Sequence, residues 1–272
     1  MPSTALVTFI GGGNMARSLI AGLIAAGTAA AQIEVIEPVD ALRDALAADF
    51  GVITATSVET ARLDGATWVL AVKPQVMADV CQALSARLPD GQRVLSIAAG
   101  LTSARLQDWL GKSARIIRAM PNTPALLGAG MTGLFAGSGV TATDREAAEV
   151  IARAAGQVRW IEDEALMDAV TAVSGSGPAY VFALAEAMES AGVAQGLPAE
   201  TARQLVVQTV LGAARMLAES GRSAEELRRA VTSPNGTTQA ALETLAKGDF
   251  NDLVSAAIAA ATQRGRELSG NS

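Results

Sequence analysis

Apolar positions along the chain follow two different patterns. Through residue 118, short apolar runs bounded by glycine, proline and polar residues alternate with longer stretches of helical periodicity. The short runs predict strands at 6–10, 33–36, 53–55, 67–72, 94–97 and 115–118. The longer stretches predict helices, chiefly at 16–26, 39–50, 75–88 and 101–110. This alternation with short connections predicts an α/β domain built on a doubly wound parallel sheet. Two more strands at 131–136 and 157–161, flanking a helix at 144–155, would extend its edge. After Ile161 the strand pattern stops. Helical sequence rich in Ala, Leu, Met and Glu covers 179–195, 198–220, 237–247 and 249–267. Pro198 stands at a helix start and Gly196 just past a helix end. The expected division is an α/β domain over 1–162 and an all-helical domain over 163–272, which 272 residues can support. Helical stretches such as 204–214 carry no charge. Helices that are nearly uncharged over long stretches in so small a domain point to a subunit interface, hence a homodimer or a higher homo-oligomer.

The first apolar run ends on Gly11-Gly12-Gly13-Asn14-Met15-Ala16. A strand that stops on glycine and restarts as a helix is the phosphate-cradling turn of a dinucleotide-binding, Rossmann-type domain. Gly11 allows the tight turn. Gly13, lacking a Cβ, lets a pyrophosphate approach the backbone, and Ala16 lets the helix pack close to the strand. Ile10, Asn14 and Met15 complete the expected cofactor-binding turn, with N–H groups at the helix start facing the phosphates. The second strand leads to Glu37, placed to accept hydrogen bonds from the adenosine ribose. The plainer reading of Glu37 is a solvated strand end before Pro38.

Composition narrows the chemistry. Half the residues are hydrophobic and 18% are charged, as in globular proteins. A net charge of −6 and 3% aromatics offer neither a basic face nor a stacking platform for nucleic acid. The single cysteine, Cys81, allows no intrachain disulfide and reads as a small core residue rather than a nucleophile. The chain has no histidine, which excludes histidine acid/base dehydrogenases, Ser-His-Asp hydrolases and histidine-ligated metal sites; no metal is expected. The N-terminal apolar run lacks a basic leader and reads as a strand, not a signal peptide. The longest uncharged stretch, 119–143, is broken by Pro121, Pro124 and glycines, so it is not a membrane span. A cytoplasmic protein acting on a small molecule, with no nucleic-acid or membrane partner, is expected.

Ligands of open parallel sheets bind beyond the carboxyl ends of the strands. Ala71-Val72-Lys73-Pro74 closes the fourth strand, Ala98-Ala99-Gly100 the fifth and Met120-Pro121-Asn122-Thr123-Pro124 the sixth. Small residues at 98–100 let a flat ring lie against the backbone. Lys73 either contacts a cofactor phosphate or ribose or is a solvated turn lysine. In the helical half, 174–180 (Ser-Gly-Ser-Gly-Pro-Ala-Tyr) and 232–238 (Thr-Ser-Pro-Asn-Gly-Thr-Thr) break the apolar pattern before long helices. Such a helix N-terminus suits a carboxylate. Ordinary Ser or Thr N-caps give the same pattern, but two such breaks in one small domain favour a substrate site.

The segments FIGGGNMA, AVKP, SIAAG, IIRAMPNTPA, AVSGSGPAY and TSPNGTT, in that order over nearly the whole chain, resemble the pyrroline-5-carboxylate reductase family. The resemblance implies hydride transfer from NADPH or NADH to the ring imine of 1-pyrroline-5-carboxylate, forming L-proline in the last step of proline biosynthesis. It implies a Rossmann domain followed by helices that interlock between two subunits. It places Ser233, Asn235, Gly236, Thr237 and Thr238 in the loop that holds the substrate carboxylate. Thr238 would carry the catalytic hydroxyl that bonds the imine nitrogen, with Ser176 as a second catalytic group. Asn122, Thr123 and Ser176 would line the site near the nicotinamide, Asn122 toward the cofactor and Thr123 toward the substrate. Two departures stand out. Asn235 replaces a glycine of the family, a substitution that asparagine's tolerance of positive φ makes acceptable. Arg222-Ser223 and Leu227-Arg228-Arg229 replace His-Pro and Leu-Lys-Asp. Two rival readings are a β-hydroxyacid-type dehydrogenase and a non-catalytic dinucleotide-binding sensor or scaffold. The first needs a lysine in the second domain, where only Lys247 is present, beside Gly248. The intact 233–238 loop argues against the second.

Overall fold

A computed structural model describes residues 7–270; Leu6, the first residue of the strand expected at 6–10, lies outside them. The α/β part runs β1 (Val7–Ile10), α1 (Asn14–Ala25), β2 (Ile33–Ile36), α2 (Asp40–Phe50), β3 (Ile53–Ala55), β4 (Thr67–Leu70), α3 (Met77–Ser85), β5 (Arg93–Ser96), α4 (Ser103–Leu110), β6 (Arg115–Met120), β7 (Gly130–Ala136), α5 (Ala142–Arg153) and β8 (Gly156–Trp160). These strands form one 8-stranded sheet in the order β3-β2-β1-β4-β5-β6-β7-β8. The order reverses between β1 and β4, which opens a crevice at their carboxyl ends.

Every residue of β1, β2 and β4 is buried, as expected for strands covered on both faces. Alternate side chains feed opposite cores. Phe9 and Val69 join Leu19, Ile20 and Ile151 on one face. Ile10, Trp68 and Leu70 join Met77, Cys81, Leu84 and Leu106 on the other. Burial pushes the Cys81 thiol up to about 12, so it packs as a small apolar residue and is not activated.

The sheet departs from the expected all-parallel order at one step, because β7 runs antiparallel to β6. Only residues 121–129 separate the two strands, too few for the crossover that a parallel neighbour requires. With α5 as its connection, β8 then pairs parallel to β7.

Beyond β8 follow α6 (Met167–Val170), α7 (Gly177–Ala194), α8 (Ala199–Glu219), α9 (Ala224–Ala230), α10 (Thr237–Lys247) and α11 (Phe250–Ser269). The chain packs as two compact units, one reaching to Ser176 and regaining the residues from Ala260 on, the other spanning Gly177–Ala259. The boundary expected at 162/163 does not coincide with this division. Val170 packs so closely on Gly133 that a Cβ there would lie 2.6 Å from it, and Gly265 lies against Asp168. The first helical turns and the end of α11 therefore belong to the α/β unit.

In the second unit, Gly192 of α7 lies against Ala202 of α8. Only Ala202, Val206 and Leu227 are buried there, while Phe182 is 67% and Leu253 64% exposed. Helix α9 has no counterpart in the expected pattern. It is short, but its start carries a legible signal: Ser223 and Glu226 form a capping box.

Candidate active site

The glycine turn is held at the ends of three strands. Gly11 N–H donates to Ile36 O and Ala71 N–H to Ile10 O, both at 2.8 Å. Gly11 has φ +102°, and a Cβ on it would lie 2.8 Å from Ala71 O, so both conformation and space require glycine. A Cβ on Gly12 would meet Leu46 Cδ1 at 2.5 Å. A Cβ on Gly13 would meet nothing within 4 Å, so no protein packing demands glycine there. Gly13 is the extended N-cap of α1 and has no side-chain cap. The N–H groups of Asn14, Met15 and Ala16 find no acceptor among the described residues. Free donors on a helix N-terminus, facing open space, fit a pyrophosphate.

Glu37 is 6% exposed. Its Oε2 accepts from Gly12 N–H and its Oε1 from Val39 N–H, both at 2.9 Å. It therefore braces the glycine turn, a function beyond the expected ribose contact, and it is not a solvated strand end. A carboxylate has about four acceptor positions, so capacity remains for ribose hydroxyls. Beside it opens a cavity of about 420 Å³ whose lining includes Ile10, Gly11, Ile36, Pro38, Val58 and Val80. Its apolar walls at the carboxyl ends of β1 and β2 suit an adenine ring.

Around the other strand ends, Lys73 is exposed and precedes the 3₁₀ turn Pro74–Val76. Val72 touches the glycine turn, its Cγ1 lying 3.0 Å from a Cβ placed on Gly11. Ala98 is buried, Ala99 half-buried and Gly100 at φ +72°. Thr123 is exposed at the start of the 3₁₀ turn Thr123–Leu127. The Asn122 amide is occupied by protein. Its Nδ2 donates to Ser174 O at 3.1 Å and Ser174 Oγ at 3.3 Å, and its Oδ1 accepts from Met131 N–H at 2.9 Å. Ser174, the first residue of the 174–180 break, is thereby tied to the end of β6, a contact that the motifs do not reveal.

The 174–180 segment joins two helices directly, with no loop ahead of α7. Helix α6 passes through a π turn, Thr171–Gly175, into α7. Ser176 N–H donates to Thr171 O at 2.8 Å and is not available to an anion.

The 233–238 loop of the second unit does open a helix. Asn235 has φ +59°, the left-handed conformation that glycine ordinarily supplies. Asn235 N–H donates to Gln239 Oε1 at 2.7 Å, and Gln239 Nε2 donates to Glu243 Oε1 at 2.8 Å. Gln239 is a loop-shaping residue legible only through its i, i+4 spacing to both partners. Gly236 N–H donates to Ser233 O at 3.1 Å. Gly236 is the extended N-cap of α10 without a side-chain cap, and the N–H groups of Thr237, Thr238 and Gln239 find no acceptor among the described residues. No group of three or more His, Cys, Asp or Glu among the described residues is placed to hold a metal ion.

A crevice at the carboxyl ends of the strands with an open glycine turn, joined to a helical unit that lacks a core of its own, defines the class as nicotinamide-dinucleotide oxidoreductases with a helical association domain. Residues 6–100 match the family described as "NADP oxidoreductase coenzyme F420-dependent", and residues 164–268 match "Pyrroline-5-carboxylate reductase dimerisation". A pyrroline-5-carboxylate reductase of Pseudomonas aeruginosa is 49% identical over 98% of this chain and 97% of its own length. The solved structure of a pyrroline-5-carboxylate reductase from Coxiella burnetii superposes with a TM-score of 0.93 at 44% identity, covering 98% of this chain and 99% of that one. That of the Plasmodium falciparum enzyme with NADP bound gives 0.85 at 29% identity, with coverages of 98% and 99%. The chain belongs to the pyrroline-5-carboxylate reductase family.

Proposed function

We propose that this protein is an NAD(P)H-dependent reductase of the C=N bond of 1-pyrroline-5-carboxylate, forming L-proline as a homo-oligomer in the cytoplasm. The observation that carries this reading is a shared feature of its two units. Helices α1 and α10 both begin on an extended glycine, Gly13 and Gly236, with no side chain capping the first N–H groups. Helices α4, α5 and α9 are closed instead by Thr102, Thr141 and Ser223. The open ends stand where the family motifs need anions: a pyrophosphate at Gly13 and a carboxylate at Gly236.

A bound nicotinamide supplies the hydride. The chain supplies position. Gly13, Asn14, Met15 and Ala16 hold the pyrophosphate, Glu37 the ribose, and Ala71–Pro74 with Ala98 and Ala99 the nucleoside and ring. Ser233 through Thr238 hold the substrate carboxylate, and the Thr238 hydroxyl bonds the ring nitrogen. A protonated imine accepts hydride without a strong acid catalyst, and solvent supplies the proton, consistent with a chain that has no histidine. The hydroxyacid dehydrogenase alternative gains nothing from the structure, since Lys247 is exposed at the last position of α10. No helix of the described residues is long and apolar enough to cross a membrane.

Thr238→Ala tests this assignment. It should lower kcat/KM for the imine by roughly tenfold to a thousandfold, the range of one positioned hydrogen bond or proton-transfer partner, with cofactor affinity unchanged. Full activity would move the catalytic hydroxyl elsewhere, with Ser176 next to be replaced.

A further inference from the structure

We propose that Asn122 is a positioning residue: it does not bind cofactor through its side chain but fixes the π turn that carries Ser174 and Ser176. The proposal rests on the reductase reading above for its kinetic consequence, and on unit-internal geometry for its physical basis.

In a regular α-helix, Ser174 O would accept from the nitrogen of residue 178. That residue is Pro178, which has no hydrogen to give. The carbonyl is therefore left without its helical donor at the point where α6 widens into a π turn and restarts as α7. Asn122 supplies a donor from outside the helix, its Nδ2 reaching Ser174 O at 3.1 Å and Ser174 Oγ at 3.3 Å. The amide cannot flip. Its oxygen already accepts from Met131 N–H at 2.9 Å, so reversal would set donor against donor and acceptor against acceptor. Met120, two residues before Asn122, closes the other side of the turn, since a Cβ on Gly175 would lie 2.5 Å from Met120 Cε. Asn122 and Met120 together leave the turn one position over the carboxyl end of β6. π turns of this kind are frequent at functional sites, and this one ends on Ser176, the second hydroxyl assigned to the reaction.

The substitution Asn122→Asp keeps the shape and replaces the donor by an oxygen that faces Ser174 O. It should lower kcat for imine reduction at least tenfold and leave the dissociation constants of NADH and NADPH, read by fluorescence, within twofold. Hydrogen exchange should accelerate at least tenfold in a peptide covering 167–177 and stay unchanged in one covering α10. Ser174→Ala removes only the hydroxyl acceptor and should change each quantity by less than threefold. A tenfold loss of cofactor affinity with exchange unchanged would overturn the proposal and return Asn122 to cofactor contact. So would an unchanged kcat despite faster exchange. A third reading needs no variant: in the unmodified protein the 167–177 peptide should already exchange slowly without cofactor, and protection that appears only on cofactor addition contradicts the proposal. If the unmodified protein fails to reduce the imine, the reductase reading fails, and the exchange results still decide whether Asn122 holds the turn.

Discussion

At Glu37, one side chain meets two demands. Both carboxylate oxygens accept backbone N–H groups, from Gly12 and Val39, so rotation into solvent would break two charge-assisted bonds. Arg43 is not free to balance it, because its Nη1 donates to Glu37 O at 3.0 Å and its Nη2 to Asp40 Oδ1 at 2.7 Å. A ribose 2′-hydroxyl can bond the remaining lone pairs of Glu37. A 2′-phosphate about 4 Å away meets repulsion on the order of 1–4 kcal/mol per unit charge. NADH should therefore be used at least as well as NADPH. Glu37→Ser should shift the ratio of kcat/KM values toward NADPH and weaken both cofactors through the loss of the Gly12 brace. Steady-state kinetics with each cofactor check this; a tenfold preference of the unmodified protein for NADPH would show that Glu37 does not control the choice.

At the level of elements, Asp144 ties α5 to the sheet. It forms a capping box with Thr141 and ion pairs with Arg93 at 2.9 Å and Arg115 at 3.1 Å. Burial acts to raise its pKa, but the Thr141 hydrogen bonds and the two arginines outweigh that and hold it below the usual carboxylate value. A carboxyl lowered in this way stabilises the fold above its unfolded pKa, about 3.9, and the contribution is lost as pH falls through the lower folded value. Asp144→Asn should cost about 2–3 kcal/mol at neutral pH, somewhat below a fully buried pair because Arg115 is partly solvated. The deficit should shrink as pH falls below about 4, which chemical denaturation of both proteins at several pH values measures. Elements of this kind differ in how far the sequence reveals them. The Gly11–Ala16 turn and the α10 entry were legible because their determinants are neighbours along the chain. The antiparallel β7 was implicit in the short 121–129 connection, and α9 in its Ser223–Glu226 box. The Asn122–Ser174 contact was not legible, since it joins residues 52 apart that only the folded sheet brings together.

For the whole molecule, the second unit poses the largest demand. None of the residues of α7 or α10 is buried, although α7 is dominated by Ala, Val, Phe, Leu and Met. Helices that expose so much apolar surface need a partner to cover it, in keeping with the match to the dimerisation family over 164–268. Sedimentation at micromolar concentration should therefore give a dimer or a larger closed assembly, and a stable, active monomer would refute this. The most direct test of the central claim is an assay of the purified protein with 1-pyrroline-5-carboxylate and either reduced nicotinamide cofactor. The account predicts loss of the reduced-cofactor absorbance with one proline formed per cofactor oxidised; no oxidation above background with either cofactor at millimolar imine would contradict it.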